Sequence, residues 1–260
     1  MTIDEIVGYL DERFHPEYQE DYDNAGFLVG CGTEECTGVL VALDLTADVV
    51  AEAQKLGLNL IVTHHPFIFN SMKRVTDRSE SGRIIIGMLR SGIATYAAHT
   101  NLDNLPYGVN GILAQKLGLQ NTRILRPTDN TADNIGAGMV GDLPHETDAT
   151  EFLLMVKQWL GLPWVRISGE RPSVRRVAIC GGAGSFLISD AMHAGADAYL
   201  TADLKYHDFQ RAEGRMLLAD IGHYESEQFA KEIIYRAISE KFSNFVCRIS
   251  ECQQSIVHYI

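Results

Sequence analysis

The sequence predicts an α/β fold built around a mainly parallel sheet. Short apolar runs rich in β-branched residues alternate with amphipathic helical stretches, first up to about residue 120 and again beyond residue 135. The runs are apolar throughout rather than alternating, as strands covered on both faces require. A chain of 260 residues has room for one large domain or two modest ones.

Thr2 and Glu5 make a capping box ahead of Ile6, Leu10 and Phe14, so the chain opens on an amphipathic helix. A strand is expected over 39–43, a helix over 47–56 and a strand over 60–63. A helix over 81–91, a strand over 93–98 and a helix over 109–117 follow. The stretch 123–134 breaks the alternation, because Pro127, Thr128, Asp129, Asn130 and Asp133 read as a linker. A second series begins behind it, with a strand at 135–140, a helix at 150–160 and strands at 164–167 and 176–179. A helix at 186–194, strands at 198–201 and 216–221, a helix at 226–241 and a strand at 245–249 complete the chain. Such alternation implies right-handed crossovers between parallel strands.

The composition, 46% hydrophobic and 22% charged, is that of a globular protein with a proper core. With 34 acidic against 22 basic side chains the formal net charge is -12, which disfavours nucleic acid as a partner and suits a protein that holds cations. The five cysteines are odd in number and lack Cys-x-x-Cys spacing, so they read as reduced, partly buried thiols rather than as disulfides or a zinc knuckle. The acidic N-terminus has no apolar h-region and no stretch is long and apolar enough for a bilayer, so no membrane is involved and a cytoplasmic protein is expected.

The apolar run Leu60-Ile61-Val62-Thr63 ends in two adjacent histidines, His64 and His65, and Pro66 stops the strand behind them. Both imidazoles therefore stand at the C-terminal lip of a strand, where α/β proteins place their ligands. Neighbours in an extended segment point to opposite sides, so the pair is expected to reach two different ions. The strand at 93–98 is followed by His99 and Asp103, and the strand at 216–221 by His223, Glu225 and Glu227. His223 and Glu227, spaced i and i+4, share one face if they occupy a helical turn, and Glu227 has the reach to bridge two ions. A histidine taken alone is more often a surface or hydrogen-bonded core residue; recurrence of metal-type side chains at three strand ends is what marks these.

Three further features carry two readings each. Cys180-Gly181-Gly182-Ala183-Gly184-Ser185 follows a strand and could cradle a phosphate, but it matches no phosphate-loop spacing and reads better as a tight turn with Ser185 capping a helix. Asp203 and His207 follow another strand end and are either outer-shell or substrate groups, or a helix cap and its neighbour. The acidic stretch 17–23 reads as a solvated face rather than a metal site.

The segments THHPFIF (63–69), HTNLD (99–103), GADAYLTADLKYH (195–207) and GHYESE (222–227) together resemble the NIF-three-like family, also labelled GTP cyclohydrolase 1 type 2. YDNAGFLVG (22–30) followed by VALDLT (41–46) looks like its N-terminal motif, so the resemblance spans the chain. It implies a dinuclear metal site held by His64, His65, Asp103, His223 and Glu227, with Glu227 bridging and His99 and His207 close by. It further implies two α/β lobes, the second inserted into the first: residues 1–125 plus 222–260, and residues 126–221. A toroidal homohexamer with inward-facing metals also follows from the resemblance. Two positions depart from the family pattern: Tyr22 stands where Trp is usual, and Ala202 where Gly is usual.

The expected function is that of a dinuclear metal-dependent hydrolase using two divalent ions of the Zn, Mn, Fe or Ni class per chain. Such ions activate a water for attack on electrophilic carbon or phosphorus. The resemblance names GTP or a related nucleotide as substrate, with attack at purine C8 and release of formate. His207, His99 and Glu225 are the candidates for protonating the departing nitrogen, His207 favoured, and Lys205 is the candidate anchor for the triphosphate. Two alternatives are a metal-binding scaffold or regulatory ring without turnover, and a metal-handling protein.

Overall fold

A computed structural model of the chain describes residues 1–128, 134–212, 214–252 and 255–257. Of the expected linker, Asp129, Asn130 and Asp133 lie outside the described residues. The chain divides into two compact units, residues 1–102 with 230–254, and residues 103–229 with 255–260.

The first unit opens with α1 (Ile3–Phe14), whose capping box between Thr2 and Glu5 forms as expected and which buries Ile3, Ile6, Leu10 and Phe14. Strand β1 (Gly26–Val29) precedes β2 (Val39–Ala42), α2 (Ala47–Leu56), β3 (Leu60–Thr63), α3 (Glu80–Arg90) and β4 (Ala94–Ala97). Every residue of β2, β3 and β4 is buried, and these three strands pair in parallel, β3 in the middle. Burying an Ile or Val side chain in such a layer is worth about 1.5–3 kcal/mol. β1 pairs antiparallel with β4, and at its end Gly30 packs so tightly that a Cβ there would sit 2.7 Å from Ala94 Cα. This edge strand, Gly26-Phe27-Leu28-Val29, is short and only partly buried, and it is not among the elements expected from the sequence. The short helix α4 (Thr100–Asp103) crosses the boundary between the units.

The second unit takes up α5 (Val109–Lys116), β5 (Gln120–Pro127), β6 (Gly136–Asp148), α6 (Ala149–Leu160), β7 (Arg166–Ser168) and β8 (Ser173–Ala183). It continues with α7 (Ile188–His193), β9 (Ala198–Ala202), α8 (Tyr206–Ala212), β10 (Leu217–Asp220) and α9 (His223–Glu227). Its sheet runs β5-β6-β8-β9-β10-β7. Only β8, β9 and β10 are parallel; β5, β6 and β7 run antiparallel to their neighbours, so this half is mixed rather than mainly parallel. The expected linker is corrected over 123–127, which lies in β5. Ladder pairing to β6 turns this polar segment into an edge strand, with six of its eight residues exposed. The register between β6 and β8 shifts between Asp142 and Thr147, around Pro144, which has no N–H for a ladder.

The chain then forms α10 (Ala230–Lys241) and β11 (Cys247–Ile249), which completes the first sheet as β1-β4-β3-β2-β11. The helix expected over 226–241 is thus two helices, because a separate turn starts at Gly222 with φ +80°. The units change over at 102/103 and 229/230, whereas the sequence divides at 125/126 and 221/222. The shift arises because α5 packs on β6 and β8, and α9 on β8 and β9. No helix among the described residues is long and apolar enough to cross a membrane.

Candidate metal centre

In the first unit the site grows out of the β2–β3–β4 register. The ladder continues past β3, with His64 N–H donating to Ala42 O at 3.2 Å and His65 N–H to Leu43 O at 2.9 Å. The chain bends there, and the two rings come to 5.0 Å, tilted by 43°. His99, two residues beyond the end of the neighbouring β4, brings its ring to 5.3 and 5.4 Å from those of His64 and His65. Ligand nitrogens of all three histidines lie within 4.8 Å of one another. The bend thus brings the two rings together where a continuing extended strand would point them to opposite sides.

Each of these imidazoles is held by an acceptor at Nδ1. His64 Nδ1 is 2.7 Å from the Ala98 carbonyl, His65 Nδ1 2.7 Å from Asp44 Oδ1, and His99 Nδ1 2.7 Å from Asp23 Oδ1. Carbonyl and carboxylate oxygens only accept from such a ring, so the proton belongs on Nδ1 and the lone pair on Nε2. That is the tautomer and the support that metal-ligating histidines use. Asp23 is fully buried in its side chain and also accepts from the N–H and hydroxyl of Thr100. Burial raises its pKa, but the bonds from His99 and Thr100 outweigh this and hold it at about 2. The reading of 17–23 as a solvated face is thus corrected for Asp23, whose carboxylate turns inward to meet His99 across 76 residues of chain.

In the second unit, α9 places His223 and Glu227 on one face, with His223 Nε2 2.9 Å from Glu227 Oε2. His223 Nδ1 lies 2.8 Å from Asp203 Oδ2, on a residue in the left-handed region at φ +57°. Of the two readings of Asp203, the outer-shell one matches this contact. Burial pushes the His223 pKa down, and Glu227 and then Asp203 more than reverse it, to about 9. A cation between His223 and Glu227 would take the place of that proton. Asp103, at the end of α4, brings a carboxylate oxygen within 4.8 Å of Glu227. Glu227 is 4% exposed, a depth at which a carboxylate needs a cationic or hydrogen-bonded neighbour. Imidazoles and carboxylates of this kind are a donor set for Zn, Mn, Fe or Ni, so the residues fit a divalent ion.

The remaining candidates lie differently. His207 is exposed on α8, with Nδ1 3.4 Å from Gln210 Oε1 and its ring edge-on to Tyr206. Glu225 is half-buried on α9, folded over Gly222 so closely that a Cβ there would overlap its Oε2. Lys205 is exposed, and its N–H donates to Asp208 Oδ2 at 2.9 Å. The Gly-rich segment is not a free loop: β8 runs through Ala183, and the following turn Ser185–Leu187 is capped by Gly184 with no side-chain bond, so Ser185 is not the cap. Cys180 is buried, and burial with Asp103 and Glu227 nearby pushes its thiol well up, as an inert core thiol requires. Asp44 and Asp23 were missed from sequence. Asp44 stands just beyond β2, the same strand-end position that marked the histidines.

Fold and side chains together define a mixed α/β protein with two sheets and groups suited to a divalent metal. The chain matches the Duf34/NIF3 (NGG1p interacting factor 3) family over residues 1–255, and it belongs to that family. It is 34% identical over 87% of both chains to a Clostridium perfringens protein named GTP cyclohydrolase 1 type 2 homolog. A Nostoc protein of the same name is 35% identical, with 88% of each chain covered. Among solved structures, a hypothetical protein of Staphylococcus aureus superposes with a TM-score of 0.91 at 29% identity, covering 100% of this chain and 99% of that one. HcgD of Methanocaldococcus jannaschii gives a TM-score of 0.82 at 26% identity over 96% and 98%.

Proposed function

We propose that the protein is a dinuclear metal-dependent hydrolase acting on GTP or a related nucleotide. The observation that carries this reading is the common state of His64, His65, His99 and His223, each with Nδ1 held against an oxygen acceptor, and in His223 with Nε2 against the Glu227 carboxylate. In this reading His64, His65, Asp103, His223 and Glu227 would hold two divalent ions, Glu227 serving both, and the second lobe would be inserted into the first. Bound ions would supply Lewis acidity and activate a water near neutral pH. The relatives' name supports GTP as the candidate substrate.

This chain's residues supply the rest. Asp44, Asp23 and Asp203 orient their histidines by accepting at Nδ1. The proton for the departing nitrogen comes from His207, His99 or Glu225, with His207 favoured because it follows a separate strand end and has no part in holding metal. Exposed Lys205 is the anchor for the triphosphate, and the working assembly is a closed homo-oligomer of six chains in the cytoplasm.

The test is formate release from GTP by protein loaded with zinc, manganese or iron, with His64→Ala as control. Turnover above that control is expected. Formate at control level with full metal occupancy would leave a metal-binding scaffold as the reading.

A further inference from the structure

The geometry points to Gly182 as a positioning residue for the Glu227 carboxylate, an assignment that rests on the metal reading above. Gly182 stands near the end of β8 with φ +62°. A Cβ built on it would overlap Glu227 Oε1, come within 2.9 Å of Cδ, and lie 3.5 Å from His223 Cε1. The carboxylate thus occupies the space a side chain would fill, and the left-handed backbone keeps Gly182 in place there. Both of its backbone groups are held by the segments that bear the site. Its N–H donates to Ser226 Oγ at 3.0 Å, Ser226 Oγ donates to His223 O at 2.9 Å, and the Gly182 carbonyl accepts from Thr201 Oγ1 at 3.0 Å. Ser226 and Thr201 are both fully buried. Gly182 therefore couples the α9 turn, which carries His223 and Glu227, to the end of β9, which leads to Asp203. The Gly-rich segment serves the metal carboxylate by close backbone approach rather than by cradling a phosphate.

The experiment is zinc affinity of the full chain, read by competition with a chromophoric chelator. Gly182→Ala is expected to weaken zinc binding about 10- to 100-fold, the range for groups supporting a ligand. Gly181→Ala is the control: its Cβ would press on Val109 Cγ1 at 2.8 Å but only touch Glu227 Cγ at 3.6 Å, so affinity should stay near wild type even if the melting temperature falls. Glu227→Asp, which draws the carboxylate back, should cost less in the Gly182→Ala background than alone, a rescue that mere loss of stability does not produce. If Gly182→Ala does not fold, Ser226→Ala removes the acceptor of the Gly182 N–H without any overlap, and it should weaken zinc in the same sense. Unchanged affinity in Gly182→Ala, or in Ser226→Ala where that stands in, overturns the assignment, as does strict additivity of Gly182→Ala and Glu227→Asp. Wild-type protein that takes up no zinc overturns the metal reading itself.

Discussion

The two units prepare their metal-type side chains in opposite ways. In the first, three imidazoles converge by their rings, and the carboxylates of Asp44 and Asp23 stand behind them at Nδ1. In the second, a single imidazole has a carboxylate on each side, Glu227 at Nε2 and Asp203 at Nδ1. The first arrangement is built by a parallel ladder that carries on two residues past β3. The second is built by one helical turn and by two backbone positions in the left-handed region, Gly182 and Asp203. The ladder and the bend at its end thus gather the imidazoles of the first unit, whereas in the second a helical turn sets the Glu227 carboxylate into space that left-handed backbone leaves open.

The sharpest way to break this contrast is to remove one donor from each side. Under the proposed dinuclear reading, Glu227→Gln is expected to cost the most metal, because a carboxylate shared by two ions would serve both, and His99→Ala clearly less. Elemental analysis of the purified variants decides; equal losses would make His99 a ligand of the same rank, and full occupancy in Glu227→Gln would remove the bridge.

The next largest effect concerns the sheets that carry the donors. Ile61 is fully buried at the centre of the first sheet, and Ile61→Ala should destabilise by about 2–5 kcal/mol. Ile167, on edge strand β7 and 50% exposed, should tolerate the same change within about 0.5 kcal/mol. Denaturation midpoints in urea test this, and similar shifts for both would erase the difference between covered centre and open edge.

Supporting carboxylates come third. Asp44→Asn and Asp203→Asn should each weaken zinc binding about 10- to 100-fold with the fold intact, as loss of a histidine's partner does. Titration against a competing chelator measures both, and an effect in only one of them would restrict the support argument to that unit.

The smallest effect is electrostatic. Arg176 bonds Asp142 at 2.9 Å across β6 and β8, and this partner holds the Asp142 carboxyl below its usual range. A carboxyl depressed in the folded state contributes stability above its unfolded pKa, and the contribution disappears as pH falls through the folded one. Asp142→Asn should therefore cost about 0.2–1 kcal/mol at neutral pH, with screening by solvent at this half-open pair, and nothing near pH 2. Urea midpoints at the two pH values read the difference; an equal cost at both would point to packing rather than charge.

The sequence by itself determined the elements that rest on local pattern. The capping box of α1, the buried runs of β2, β3 and β4 and the strand-end placement of His64, His65, His99 and His223 all follow from residue type within a few positions. The i, i+4 spacing of His223 and Glu227 likewise needed nothing beyond one helical turn. Tertiary structure decided what depends on distant partners. Polar 120–127 becomes a strand only because β6 lies beside it, and Asp23 leaves the surface only because His99 and Thr100 wait 76 and 77 residues away. Gly182 reads as an ordinary turn residue until Glu227, 45 positions later, is found in the space of its missing side chain. The physical reason is common to all three: ladder bonds, buried carboxylate partners and steric exclusion are satisfied between segments that the folded chain brings together, and composition near each residue carries no record of them.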